Sequence, residues 1–128
     1  MVRVFAIDDN AEFLKALEYM LKLEPSLAVL DGSSWDHGLG QAAELQPDLV
    51  LMDVVSPFWR GVEAIRRVKA LPHGPRVIVL SLYDQIEYRR AVITAGADGF
   101  LSKFRVSTQL TSMIRQLFFH SGEIMRPE

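Results

Sequence analysis

An α/β fold is expected for this chain: a three-layer, doubly wound sandwich around a five-stranded parallel sheet of order 2-1-3-4-5. Three observations predict it. Short apolar runs, among them VRVFAI, DLVLM and RVIVL, alternate along the 128 residues with longer segments whose apolar positions repeat at helical spacing. The runs are apolar at nearly every position, as strands buried on both faces are. Each run also ends in a polar residue, where a buried strand would surface: Asp8-Asp9, Asp53 and Ser81. Right-handed crossovers and short loops then leave few strand orders.

The elements follow in sequence. Val2 to Ile7 reads as the first strand. Ala11 to Leu23 carries Phe13, Leu14, Leu17, Met20 and Leu21 on one helical stripe and stops at Glu24-Pro25. Leu27 to Leu30 is a short second strand, and Asp36 to Leu45 a weaker helix. Asp48 to Met52, bounded by Pro47 and Asp53, is the third strand, followed by a helix over Gly61 to Ala70 that ends before Leu71-Pro72. Arg76 to Leu80 is the fourth strand. A helix over Asp84 to Ala95 follows, with Asp84 and Glu87 at capping-box spacing and Gly96 suited to its C-terminal end. Asp98 to Leu101 closes the sheet. A last helix runs to about Phe119, with Ser107 or Thr108 as its cap and Leu110, Ile114 and Leu117 on one face. In such a sheet the ligand crevice lies outside the carboxyl ends of strands 1 and 3. Asp8, Asp9 and Asp53 fall there.

Composition bounds the function. About half of the residues are apolar (49%) and about a quarter charged (23%), as in a globular protein with one core. A net charge of −2 offers no basic surface for nucleic acid, and direct nucleic-acid binding is not expected. Arg66, Arg67 and Lys69 at helical spacing read as a solvated helix face. Cysteine is absent, and His37, His73 and His120 share no ligand-like spacing, so no zinc site is expected. The start, MVRVFAIDDN, has too few apolar residues before Asp8 for a signal peptide or membrane span. A cytoplasmic location is expected, with one domain over residues 1–120 and a tail or linker over 121–128.

Each polar residue has an ordinary explanation. Asp9 or Asn10 can cap the first helix, with Glu12 completing a box around Asp9. Asp53 can be a loop aspartate, Ser81 a turn residue and Lys103 a surface lysine. Together they suggest chemistry. Three carboxylates at one sheet edge repel one another unless a cation joins them. Hard oxygens with room for water suit Mg²⁺. Lys103 and the Ser81 hydroxyl are donors suited to phosphoryl oxygens.

Asp8-Asp9, Asp53 followed by Pro57 and Gly61, Ser81, and the block GADGFLSK ending at Lys103 stand in an order and separation that resembles the receiver domain of two-component response regulators. The likeness covers essentially the whole chain and implies a CheY-like, flavodoxin-like fold. The same strand order typifies that family, so the two expectations share one source. The resemblance implies that Asp53 is the phosphoacceptor, attacking a phosphoryl group carried by a sensor histidine kinase or phosphotransfer protein. It implies that Asp9, Asp53 and the backbone carbonyl of Val55 ligate Mg²⁺, with Asp8 acting through a coordinated water. Lys103 and Ser81 would contact phosphoryl oxygens, and Phe100 would rotate inward with Ser81 as a switch aromatic. Its ordinary alternative is a core aromatic of strand 5. Val55 and Tyr83 would flank the phosphoryl opening; being bulky and without carboxylate or amide, they would slow its hydrolysis.

The chain also departs from the family. Many members have Met-Pro and Asp-Gly after the acceptor; here the pairs are Ser56-Pro57 and Arg60-Gly61, which remove an apolar anchor and replace an acid with a cation. Phe58-Trp59 in the same loop would pack locally or meet a partner, local packing being favoured. Phe104 stands where many members have proline after the lysine. VLSLYDQIEY, GADGFLSK and SGEIMRPE resemble receivers of LuxR/NarL-type regulators, which implies a helix-turn-helix output domain in a longer protein, with a stand-alone receiver as the second reading. Two receivers would pair through helix 4, strand 5 and helix 5. The alternative functions are a receiver-like interaction module that does not use phosphorylation and, third, an enzyme on a similar fold. A flavin phosphate would be repelled by Asp8-Asp9, and no inserted cap is present to enclose a small substrate.

Overall fold

The apolar runs assemble into a parallel sheet because neither face of them can be left in water. The computed structural model describes residues 1–53 and 58–119. Its elements are β1 (Val2–Ile7), α1 (Ala11–Lys22), β2 (Leu27–Val29), α2 (Trp35–Leu45), β3 (Leu49–Met52), α3 (Phe58–Lys69), β4 (Arg76–Ser81), α4 (Ile86–Thr94), β5 (Gly99–Ser102), a 3₁₀ turn (Lys103–Arg105) and α5 (Val106–Phe118). The strand order is β2-β1-β3-β4-β5, all parallel, as expected. No helix among the described residues is long and apolar enough to cross a membrane.

Alternation along the strands builds two cores. Val4, Ala6, Leu49, Leu51, Ile78 and Leu80 face α1 and α5, where they meet Leu17, Leu21, Leu110 and Ile114. Phe5, Ile7, Val50, Met52, Val77 and Val79 face the other side and meet Ala42, Ala64, Ile65, Val68 and Val92 of α2, α3 and α4. β3 is buried at all four positions, which explains its unbroken apolar run.

At α1 one of the two expected caps serves; at α4 and α5 the caps differ from expectation. The α1 cap is Asn10, whose side chain accepts from Phe13 N at 3.0 Å, and this leaves Asp9 for another task. The Asp84–Glu87 box does not form: α4 begins two residues later, at Ile86, behind Gln85 with no side-chain cap. Nor do Ser107 and Thr108 cap α5. The 3₁₀ turn, capped by Ser102, feeds straight into Val106, and the Thr108 hydroxyl bonds back to the Arg105 carbonyl. The end of α4 does behave as read. Gly96 has φ 117°, Gly96 N donates to Ile93 O and Ala97 N to Val92 O, the paired bonds of a Schellman close.

Polar ties at the edge remote from the acidic cluster hold the helices in place. Asp98 accepts from Val77 N at 2.8 Å and pairs with Lys69 at 2.8 Å, so this lysine of the basic cluster joins α3 to the sheet rather than lying solvated. Arg3 donates to the Leu45 and Gln46 carbonyls at the end of α2.

Candidate functional site

Register brings the polar strand ends level. Ile7 lies opposite Met52, Met52 opposite Val79, and Ser81 opposite Ser102. The next residues, Asp8, Asp53 and Lys103, therefore emerge at one carboxyl edge, with Asp53 N donating to the Ile7 carbonyl at 3.0 Å. Four segments far apart in sequence meet there.

Lys103 is the centre of the cluster. Its ammonium lies 2.7 Å from Asp8 Oδ2 and 3.7 Å from Asp53 Oδ1, and its side chain is only 10% exposed. The Phe13 ring lies beneath it, 4.4 Å from Nζ to the centroid. A surface lysine would not be held so. Asp8 is buried, and its Oδ1 accepts from Asn10 N at 2.9 Å. Its Oδ2 meets no donor in hydrogen-bond alignment, so the contact with Lys103 is ionic in character. Burying such a pair is weak evidence of added stability, because desolvation offsets the attraction. A site that must hold charge is the better reason for it.

Asp9 and Asp53 are joined through Trp35. Asp9 is exposed and its Oδ1 accepts from Trp35 N at 2.9 Å, capping α2 from 26 residues away, where Ser34 makes no side-chain cap. The Trp35 indole Nε1 donates to the Asp53 carbonyl at 3.2 Å. The Asp8 and Asp9 carboxylates after β1 and the Asp53 carboxylate after β3 are hard oxygen donors, of the kind that suits a hard cation whose remaining positions are filled by water. Among the described residues no three His, Cys, Asp or Glu side chains form a ready-made cage, so any bound ion would be water-rich. Val55, the expected carbonyl ligand, lies outside the described residues, as do Ser56, Pro57 and the 121–128 tail.

Ser81 is fully buried at the end of β4. Its Oγ accepts from Tyr83 N at 3.0 Å. Burial raises the Tyr88 phenol above its ordinary pKa, and the Asp53 charge raises it further; the Ser81 hydroxyl works in the opposite direction, and Tyr83 adds a smaller increase. The Tyr88 ring stands edge-on to Tyr83 (centroids 6.2 Å) and to Phe100 (6.4 Å). Phe100 is buried, with the Arg89 guanidinium 4.9 Å from its centroid. Tyr83 is exposed at the rim.

Sequence reading brought together Asp8, Asp9, Asp53, Ser81 and Lys103 and missed Trp35, Tyr88 and Phe13. A tryptophan directly after Ser33-Ser34, at a helix start, was a signal for the first. Tyr88 and Phe13 looked like ordinary helix aromatics. The expected local packing of the loop aromatics fails for Trp59, which is 67% exposed.

Comparison with known proteins agrees with this geometry. A family model described as the response regulator receiver domain matches residues 4–115. The transcriptional regulatory protein LiaR of Bacillus subtilis is 32% identical over 116 residues, 90% of this chain and 55% of LiaR. The chain thus spans about half the length of that relative. The response regulator domain of Thermotoga maritima CheB superposes with a TM-score of 0.78 at 26% identity, covering 91% of this chain and 95% of that one. The signal receiver domain of a NarL regulator from Mycobacterium tuberculosis has a TM-score of 0.79 at 24% identity, over 91% and 94%, a likeness of fold.

Proposed function

The chain belongs to the response regulator receiver domain family, and from that premise we propose that Asp53 accepts a phosphoryl group from a histidine kinase or phosphotransfer protein. One observation carries the assignment: the Lys103 ammonium reaches both Asp8 and Asp53 at the carboxyl edge of the sheet. A carboxylate oxygen of Asp53 attacks phosphorus, the P–N bond of the donor phosphohistidine breaks, and the imidazole leaves with the bonding pair and takes up a proton. Little covalent work falls to the protein, so catalysis is positioning and charge stabilisation. Lys103 meets a phosphoryl oxygen from the β5 side, and Ser81 meets another from the β4 side. Asp9, Asp53 and the Val55 carbonyl would hold Mg²⁺, with Asp8 acting through a water. When bound, Mg²⁺ supplies positive charge against the transferring group. This makes the chain a switch that takes part in its own phosphorylation and dephosphorylation.

Incubation with Mg²⁺ and acetyl phosphate, followed by intact mass, tests the assignment. One added phosphoryl on wild type and none on Asp53→Asn is expected. A chain that takes no label from acetyl phosphate or from a phosphorylated histidine donor is an interaction module instead.

The finer readings rest on the same premise. The receiver occupies residues 1–120 and acts in the cytoplasm. The remainder leads to an output domain of helix-turn-helix type that controls transcription, and two receivers pair through α4, β5 and α5 on phosphorylation. Val55 and Tyr83 lengthen the life of the phosphoryl group. Phe100 relays the switch to that face, a role supported by its ring contact with Tyr88. Solution mass with and without a phosphoryl mimic tests the pairing.

A further inference from the structure

The three acidic residues of the site are all held by one short segment, the entry into α2. Asp8 N donates to the Ser33 carbonyl at 3.0 Å, Asp9 Oδ1 accepts from Trp35 N at 2.9 Å, and the Asp53 carbonyl accepts from Trp35 Nε1 at 3.2 Å. Ser33 is itself tied to β1: its amide donates to Ala6 O at 3.0 Å, and it forms an isolated bridge with Ile7. The segment is therefore fixed to the sheet before it reaches Asp9 and Asp53. Trp35 is the part that touches Asp53. The β1–β3 register stops at Ile7 opposite Met52. One step further in a parallel ladder, the Asp53 carbonyl would take the amide of Asp9; here the indole meets it. The rest of the ring is partly buried and packs on the core beneath α2 and α3.

Asp9 and Asp53 carry like charges, and their repulsion favours movement apart. A bond to each from one residue opposes that movement. The Trp35 amide takes a single lone pair of the Asp9 carboxylate, which leaves the group free to accept further bonds. The indole holds the peptide that follows the Asp53 side chain. We propose that Trp35 is a positioning residue for the ion site: its indole clamps Asp53 against the repulsion of Asp9, so that a divalent cation meets oxygens already in place. Partners that orient a ligand raise affinity because binding need not supply the ordering. The inference rests on the reading of Asp9 and Asp53 as ion ligands and adds a residue from outside the acidic set. It also explains a ring nitrogen aimed at a carbonyl, where phenylalanine or leucine would serve apolar packing as well.

The test titrates Mg²⁺ into wild type, Trp35→Phe and Trp59→Phe and follows amide chemical shifts. Trp35→Phe keeps an aromatic ring and loses the donor; Trp59→Phe, at an exposed position of α3, controls for loss of an indole. Trp35→Phe should need about two- to tenfold more Mg²⁺ for half-saturation, the equivalent of one net hydrogen bond, and Trp59→Phe no more than wild type. Trp35→Leu also lacks the donor and should lose as much as Trp35→Phe. Labelling by acetyl phosphate separates positioning from damage to the fold. The Mg²⁺ needed for half-maximal rate should rise by the same factor, while the rate at saturating Mg²⁺ matches wild type. Unchanged Mg²⁺ affinity in Trp35→Phe, an equal loss in Trp59→Phe, or a rate that saturating Mg²⁺ does not restore overturns the clamp and leaves phosphorylation at Asp53 standing. A wild type whose site amides do not respond to Mg²⁺ overturns the ion reading and the clamp together.

Discussion

At the scale of single residues, the site is a balance among like charges. Lys103 stands 2.7 Å from Asp8 and 3.7 Å from Asp53, nearer to the carboxylate that is not the proposed acceptor. That preference leaves Asp53, 21% exposed in its side chain, as the more accessible acid. Without metal, Asp53→Asn should relieve repulsion and raise stability by about 1 kcal/mol, roughly 3–6 °C in Tm for a domain of this size. Thermal melts at several Mg²⁺ concentrations check it: the ion should stabilise wild type more than the variant, and equal shifts would remove the metal assignment. Trp35 offers a second readout, since its indole bonds to the Asp53 carbonyl and its amide to Asp9. Emission from Trp35 in a Trp59→Phe background should change on adding Mg²⁺, and Asp53→Asn should blunt the change.

At the scale of elements, helix ends show where local signals suffice. Asn10 follows the apolar strand and precedes the amphipathic stripe of α1, and it caps that helix; Asn10→Ala should cost about 1 kcal/mol in denaturant unfolding. Gly96 closes α4 at φ 117°, and a Cβ there would come within 3.1 Å of Lys69 Cγ. Gly96→Ala should therefore cost more than about 1 kcal/mol, from backbone strain and the displaced lysine stem together. The start of α4 is the contrary case. Asp84 and Glu87 had the spacing of a cap, yet the helix begins at Ile86. Tyr83 N is held by Ser81 and the chain stays extended at Gln85, so the polar spacing was overridden by the neighbouring site.

At the scale of the molecule, one sheet carries two cores. Ile65 of α3 and Leu110 of α5 are both fully buried but on opposite faces. Replacing either with alanine should cost about 2–5 kcal/mol. Both losses should appear in one cooperative unfolding transition followed by two probes, because β1, β3 and β4 contribute side chains to each face. Separate transitions for the two variants would mean that the helical layers fold independently.

The strands, the helices on both faces of the sheet and the placing of Asp8, Asp9, Asp53, Ser81 and Lys103 at strand ends were legible in the residues; the strand order drew on the family resemblance as well. Apolar period and polar punctuation are local properties, and parallel crossovers bring every strand end to the same edge. The same punctuation with which the chain first draws notice thus marks the site. Other features depend on contacts between distant segments: Asp9 capping α2, Lys103 lying closer to Asp8 than to Asp53, and Tyr88 of α4 standing edge-on to Phe100 of β5. Such pairings depend on how far each helix is set back from the sheet and how it is turned about its axis. Packing against the two cores determines both, and no spacing along the chain records them.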